Sequence, residues 1–378
     1  KAFVNICMIC LFLIMVVSFN KEKLINIINQ KFFKTLAIFL TFIVIYSLFN
    51  GSFFDDFPES RKIAQIILLL ILFSFVNDKR FLIYGFISGV LVSSLITDLN
   101  IVAYYFNSSD LLISKSSVED LFITQRLYLG FFVVISIVLL SFLFRTTNRN
   151  KQKVFCALLI LFFIFTLFLI SSRSALLIAF LIFLITIIYE SKSVFTIVVM
   201  LASFVIFSAI ILTNKNLSNR FLYSQDSVRT SFIEKIKTHE PRYDIWRFSL
   251  QIFEEQNLGL FGLGTYKTQE LLVEKYKLMP IDKRKNWFIQ RNFNTHNQYI
   301  DIILSFGFIG LILFTVFLRE IVLITYKNIY SLNLILSLIL FLVIENLFHR
   351  QLGSFILALT IVIAVYIINS QNEKDTSS

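Results

Sequence analysis

The feature that most restricts this chain is a succession of apolar stretches, many of about 18 residues or more, separated by short charged breaks. Hydrocarbon offers no partner to backbone N–H and C=O groups, so a segment crossing it must satisfy them internally, as a helix. The Ile, Val and Phe richness of these stretches is therefore no sign of a sheet. Reading between charged breaks gives about eleven spans, near 2–19, 32–49, 62–77, 81–105, 126–144, 153–170, 174–189, 194–213, 299–318, 331–345 and 351–369. A hydrophobic content of 57% and a mean hydropathy of +0.78 over 378 residues exceed what a water-facing exterior tolerates.

The short connections alternate in charge. One set holds Lys21, Lys23, Lys31 and Lys34, then Lys79 and Arg80, then Arg145, Arg149, Lys151 and Lys153, then Lys192, then Arg319 and Lys327. The other holds Asp55, Asp56, Glu59 and Arg61, a 107–125 segment with the single lysine Lys115, and tight turns at 171–173 and 346–350. Excess Lys and Arg marks the cytoplasmic side, so the first set lies inside and the second outside. The expected architecture is an all-α polytopic transmembrane bundle of about 11–12 spans, with one large outer loop containing amphipathic helices, which is a periplasmic loop in a Gram-negative inner membrane or lies on the outer face otherwise. Its parts are N-terminal spans at 1–213, the loop at 214–298, C-terminal spans at 299–369 and a cytoplasmic tail at 370–378, together one integrated membrane domain. The chain begins with Lys1, and Ala2–Phe19 carries no small-residue cleavage site. One further helix ahead of Lys1 would bring both ends to the cytoplasm.

The net charge of +11 is spread rather than clustered: the loop has 14 Lys and Arg against 9 Asp and Glu, and most of the rest lies between spans. That distribution points away from nucleic acid and towards anionic headgroups and phosphate-bearing substrates. Cys7-x-x-Cys10 resembles a redox or metal pair, but it sits in a span without a second pair, and the buried small-residue reading is preferred. The acidic pairs Asp55-Asp56 and Glu254-Glu255 have no His at ligand spacing, so neither a metal nor another cofactor is expected. Span interiors hold almost no ionisable groups, and Pro58, Pro241 and Pro280 all fall in predicted loops, which argues against an ion-coupled transporter with broken helices.

Within the loop, Pro241-Arg242-Tyr243-Asp244-Ile245-Trp246-Arg247 opens an amphipathic helix to about Asn257, with Ile245, Phe248, Ile252 and Phe253 on one face. It either lies on the membrane surface or packs across the mouth of the bundle. Gly259, Gly262 and Gly264 follow; they either let backbone approach a ligand or stop the helix with a turn. His296 can take a proton from an attacking hydroxyl, or it is an interfacial helix-capping histidine. Asn297 beside it can orient a substrate hydroxyl. Arg126, Arg173, Arg242, Arg247 and Arg350 all fall on the outer side. Their guanidinium forks suit a diphosphate, while snorkelling to the interface accounts equally for Arg126, Arg173 and Arg350.

From about Phe155 to Gly310 the chain resembles the O-antigen ligase and O-antigen polymerase superfamily of membrane glycosyltransferases. The likeness rests on Ser172-Arg173-Ser174, on Arg242 and Trp246 leading to Leu258-Gly259 and Gly262-x-Gly264, and on His296-Asn297-x-Tyr299 before Phe306-Gly307-Phe308-Ile309-Gly310. The string from Glu345 to Gly353 fits the same pattern. The resemblance implies metal-independent, inverting transfer of a glycan from undecaprenyl diphosphate to an acceptor hydroxyl, on a lipid A core sugar or another lipid-linked repeat unit. His296 would be the base or position the acceptor. Arg173 and Arg242 would hold the diphosphate, with Arg126, Arg247 and Arg350 and the glycines Gly262 and Gly264 as further binding positions beside Asn297. The chain departs from many relatives at Ser305-Phe306, where they carry a carboxylate, so that partner is absent or comes from elsewhere. A polysaccharide-pathway flippase or small-solute transporter and a nonenzymatic envelope scaffold are the rival readings. The first predicts a charged central cavity and internal symmetry, and the second predicts tolerance of substitution at His296 and Arg242.

Overall fold

The computed structural model describes residues 2–108, 120–190, 194–223, 231–281 and 283–377, and over these the chain is helical with no strand. Its helices are α1 (Ala2–Val17), α2 (Lys21–Asn29), α3 (Lys31–Phe49), α4 (Phe53–Phe75), α5 (Arg80–Ser108), α6 (Arg126–Thr146), α7 (Asn150–Ile170), α8 (Arg173–Glu190) and α9 (Val194–Thr213). There follow α10 (Lys215–Leu222), α11 (Phe232–His239), α12 (Pro241–Glu255), α13 (Thr265–Lys277), α14 (Lys283–Arg291), α15 (Gln298–Thr325), α16 (Ile329–Leu342) and α17 (Gln351–Ser377). Lys115 and Lys192, used above for orientation, lie outside the described residues.

Among the described residues, eight helices are long and apolar enough to cross a membrane: α3, α5 to α9, α15 and α17. Helices α1 and α16 are shorter apolar helices, and α4 begins well ahead of the apolar run read at residue 62. Asp55 and Asp56 in its first turn favour that early start through the helix dipole. Two prolines expected in loops are helical. Pro58 lies inside α4 near its start, and Pro241 opens α12, where a missing N–H costs nothing. Cys7 and Cys10, read as buried, are half-buried and exposed on α1, whereas Cys156 of α7 is buried.

The helices group into two compact units. The first comprises Lys1–Lys79, Ile236–Tyr326 and Leu338–Ser378; the second comprises Arg80–Lys235 and Lys327–Ser337. In the first, α3 packs on α15 and α4, and α4 packs on α17. Helices α12, α13 and α14 build a small core of their own from Ile245, Phe248, Ile252, Leu272, Tyr276 and Phe288, closed below by Leu304 of α15. Each such side chain contributes about 1.5–3 kcal/mol by leaving water, enough to order this region without a disulfide. The amphipathic helix therefore uses its apolar face against α13, α14 and α15.

Helix α15 is broken at Gly307, whose φ of 69° and ψ of −165° lie outside helical space. The backbone groups released there are taken up by the glycine-rich loop. Leu263 and Gly264 amides donate to the Leu304 and Ser305 carbonyls at 2.9 and 2.8 Å, and Phe308 and Ile309 amides donate to Gly259 and Leu260 at 3.0 and 3.2 Å. A Cβ at Gly262 would lie 2.4 Å from the Ser305 carbonyl carbon, and one at Gly307 2.4 Å from the Leu260 oxygen. So the glycines are where two backbones touch. The broken spanning helix that prolines failed to signal is made by a glycine instead.

Asp56 fastens α4 to the start of α13. One carboxylate oxygen accepts from Thr265 Oγ1 at 2.8 Å and the Tyr266 amide at 2.9 Å; the other accepts from Ser52 and Ser47 hydroxyls at 2.6 and 3.1 Å. With 1% exposure, this carboxylate is held by donors alone, in the manner of a helix cap supplied from another element.

In the second unit, α6 packs against α5, α7 and α8. A Cβ at Gly130 would sit 2.7 Å from Ala175 and 2.8 Å from the Ser172 hydroxyl, so this glycine lets α6 meet the Ser-Arg-Ser turn. Asp98 is the exception to the expectation of uncharged span interiors. It is buried in α5 and accepts from Thr166 of α7 at 2.6 Å.

Candidate active site

His296 stands one residue before the cap of α15. Asn297 is extended, and its side-chain oxygen accepts from the Tyr299 and Ile300 amides at 3.0 and 3.1 Å, which satisfies the first turn of the helix. The chain reaches this cap through a left-handed residue, His296 itself, with φ of 46°. Histidine is among the few side chains that tolerate this conformation, and the bend is held by the Asn294 side chain accepting from the His296 amide at 3.1 Å. Trp246 of α12 donates its indole N–H to the Thr295 carbonyl at 3.1 Å, so the amphipathic helix braces the same bend. The side chain of His296 is 17% exposed, against the ring of Phe293.

The partner of His296 is Glu345, 49 residues on and 2% exposed, whose Oε2 lies 3.1 Å from Nδ1. This carboxylate comes from the segment between α16 and α17. The other oxygen of Glu345 faces Arg350 Nε at 3.5 Å, an ion-pair separation rather than a hydrogen bond. Arg242 joins the same group, its Nε donating at 3.3 Å to the carbonyl of Ile344, the residue before Glu345. One base candidate, one buried carboxylate and two arginines thus gather around the 344–350 segment. A carboxylate on Nδ1 fixes the tautomer with its proton there, which leaves Nε2 as a proton acceptor.

Beside this group lies a second histidine–carboxylate pair. His349 Nε2 is 2.8 Å from Asp301 Oδ2 in the first turn of α15, and its Nδ1 is 3.6 Å from Glu59 of α4. Lys62 bonds Glu59 at 2.8 Å and donates to the His349 carbonyl at 2.8 Å. Burial alone would pull the His349 imidazole down, but Asp301 and Glu59 outweigh burial and Lys62, and the pKa stands above its ordinary value.

The other expected residues fall elsewhere. Arg247, five residues on from Arg242 in α12, is half-exposed, pairs with Asp244 at 3.2 Å and lies over Phe248; Arg284 meets Asp244 from α14 at 2.7 Å. Gly262 and Gly264 are the contact glycines already described, and the Gly262 carbonyl accepts from Tyr46 at 2.6 Å. The Asn297 oxygen caps α15. Arg126 and Arg173 belong to the second unit. Arg173 donates to the Arg220 carbonyl and to the Tyr223 hydroxyl, both at 2.9 Å, and Arg126 lies over the ring of Phe122 at 4.9 Å. Gly130, one turn after Arg126, rests on Ser172 and Ala175, which flank Arg173, so both arginines occupy one end of that unit.

Glu345, Asp301 and Glu59 escape a reading by local pattern because each meets its histidine across the fold. The available signal was the clustering of Glu345, His349 and Arg350 within six residues of an otherwise apolar region. No group of three or more His, Cys, Asp or Glu side chains able to hold a metal occurs among the described residues.

Residues 156–315 match the family model described as O-antigen ligase, a stretch that contains Arg173, Arg242, Arg247, Gly262, Gly264, His296 and Asn297. No curated protein matches the chain.

Proposed function

Starting from the match of residues 156–315 to the O-antigen ligase family model, we propose that this chain transfers a glycan from undecaprenyl diphosphate to an acceptor hydroxyl at the periplasmic face of the inner membrane, as a member of the O-antigen ligase and polymerase superfamily. The observation that carries this reading is the His296–Glu345 pair at 3.1 Å, set beside Arg242 and Arg350. His296 Nε2 takes the proton of the acceptor hydroxyl as its oxygen attacks the anomeric carbon. The bond from that carbon to the diphosphate breaks on the opposite face, so configuration inverts. Glu345 stabilises the imidazolium that forms, as an orienting carboxylate does in other histidine bases. Arg242 and Arg350 hold the charge of the departing diphosphate, which makes a divalent metal dispensable. Arg247 is a further cationic position of α12, paired with Asp244. In the second unit Arg173, with Arg126, is a further anion-holding group, its guanidinium oriented by Tyr223. Asn297, Gly262 and Gly264 serve the site by fixing the start and the break of α15.

The test is complementation of a deletion strain with wild type and His296→Ala at matched membrane levels, with surface glycan resolved on a gel and lipid-linked donor quantified. Wild type restores glycan, and the variant accumulates undecaprenyl-linked donor. Loss of repeats identifies polymerase activity, and loss of attachment to core identifies ligation. In membranes from the wild-type strain, transfer persists in EDTA. A His296→Ala variant as active as wild type would remove the catalytic reading and favour a transporter or scaffold.

A further inference from the structure

The segment 343–350 consists of turns and a short 3-10 helix, Leu347–His349, so helical geometry does not fix where Glu345 and Arg350 point. Its placement comes from side chains of neighbouring elements. Asn346 donates to Thr295 Oγ1 at 2.7 Å, the Phe348 amide donates to Gln298 Oε1 at 3.0 Å, and Lys62 donates to the His349 carbonyl at 2.8 Å. The fourth tie is the His349 ring.

Each ring nitrogen of His349 faces a carboxylate, Nε2 that of Asp301 at 2.8 Å and Nδ1 that of Glu59 at 3.6 Å. A neutral imidazole can present a proton to only one of them, whereas an imidazolium presents one to each. Such a ring has no nitrogen left to accept a proton, so it cannot act as a base. With Lys62 on Glu59, the set of His349, Lys62, Asp301 and Glu59 is formally neutral, and it draws α4, the start of α15 and the 343–350 segment together. We propose that His349, held as a cation between Asp301 and Glu59, is the positioning residue that sets Glu345 and Arg350 against His296. This inference rests on the reading of His296 as the base.

A consequence for pH follows from the charges facing the ring, which are Asp301 of α15 and Glu59 and Lys62 of α4. A histidine whose folded-state pKa is raised contributes fully below its unfolded value, and the contribution is lost as pH rises through the folded value. Activity should therefore fall on the alkaline side when His349 loses its proton.

The experiment measures transfer rate against pH in proteoliposomes for wild type, His349→Ala, His349→Arg and Glu59→Gln, with His296→Ala as reference and protein levels matched. Wild type loses rate on the alkaline side. His349→Ala loses about 10- to 100-fold in kcat, the usual scale for a lost outer orienting partner, with a smaller change in KM for donor. His349→Arg, a cation that does not titrate in this range, recovers part of the rate and abolishes the alkaline limb. Glu59→Gln moves that limb to lower pH, and it decides the matter if His349→Ala does not accumulate. An alkaline limb unmoved in Glu59→Gln, or His349→Ala within twofold of wild type throughout, overturns the positioning role and leaves His296 untouched. Full activity of His296→Ala instead sinks the reading beneath it.

Discussion

Replacing Glu345 with glutamine removes one charge and almost no volume, which makes it the sharpest probe of the proposed chemistry. In the ground state the carboxylate accepts from His296 Nδ1 at 3.1 Å from a position with 2% exposure. As His296 takes a proton, this contact becomes an imidazolium–carboxylate pair screened from water. Hydrogen bonds to a charged partner contribute about 1.5–3 kcal/mol net. If that amount is lost only in the transition state, kcat falls by roughly 10- to 150-fold while KM for donor stays nearly constant. A glutamine amide that donates to Nδ1 would shift the proton to Nε2 and abolish the base, so a deeper loss has the same cause. The assay is single-turnover transfer from lipid-linked donor in reconstituted membranes, with saturating acceptor and protein quantified by blot. A Glu345→Gln enzyme within threefold of wild type would refute the dyad: the 3.1 Å contact would then be packing, and the base would lie elsewhere.

Two stability changes should follow from the backbone and capping contacts. Gly307→Ala must place a side chain at φ 69° and ψ −165°, with its Cβ 2.4 Å from the Leu260 oxygen. Strain in that region costs about 1–3 kcal/mol before the clash is relieved, so thermal unfolding of the detergent-solubilised protein should occur several degrees earlier, and an unchanged Tm would contradict the break. Asp56→Ala leaves the Tyr266 amide and three hydroxyls without their acceptor. A loss of about 3 kcal/mol is expected, visible as early proteolysis near the start of α13, and Asp56→Asn should lose less.

The helices were legible because crossing hydrocarbon demands little more than apolar length, and α3, α5 to α9, α15 and α17 meet that demand residue by residue. The start of α4 was not, because Asp55, Asp56 and Glu59 read as a loop until the helix dipole and the α13 cap give them work. Asp56 was weighed as half of a metal pair, yet its partners are the nearby Ser47 and Ser52 hydroxyls and, more than 200 residues away, the Thr265 hydroxyl and the Tyr266 amide. His296 could be read from its neighbours in Asn294–Tyr299, whereas Glu345 sat at the end of an apolar run with nothing local to mark its partner. Likewise Gly307 in a span reads as ordinary helix packing. Its role appears only when the loop at 259–264 is seen to take the hydrogen bonds that α15 gives up.

That exchange of bonds also sets a rule for recombining this chain with its relatives. Residues 259–264 and 304–309 form one stitched unit, four backbone hydrogen bonds across two segments some forty positions apart. A chimera that imports the polar loop without its matching helix break, or the break without the loop, leaves amide and carbonyl groups without partners, at a cost of about 1–3 kcal/mol for each one that is buried. Transplanting acceptor preference between such proteins should therefore succeed when both segments travel together, with crossovers placed in α12 or beyond Gly310.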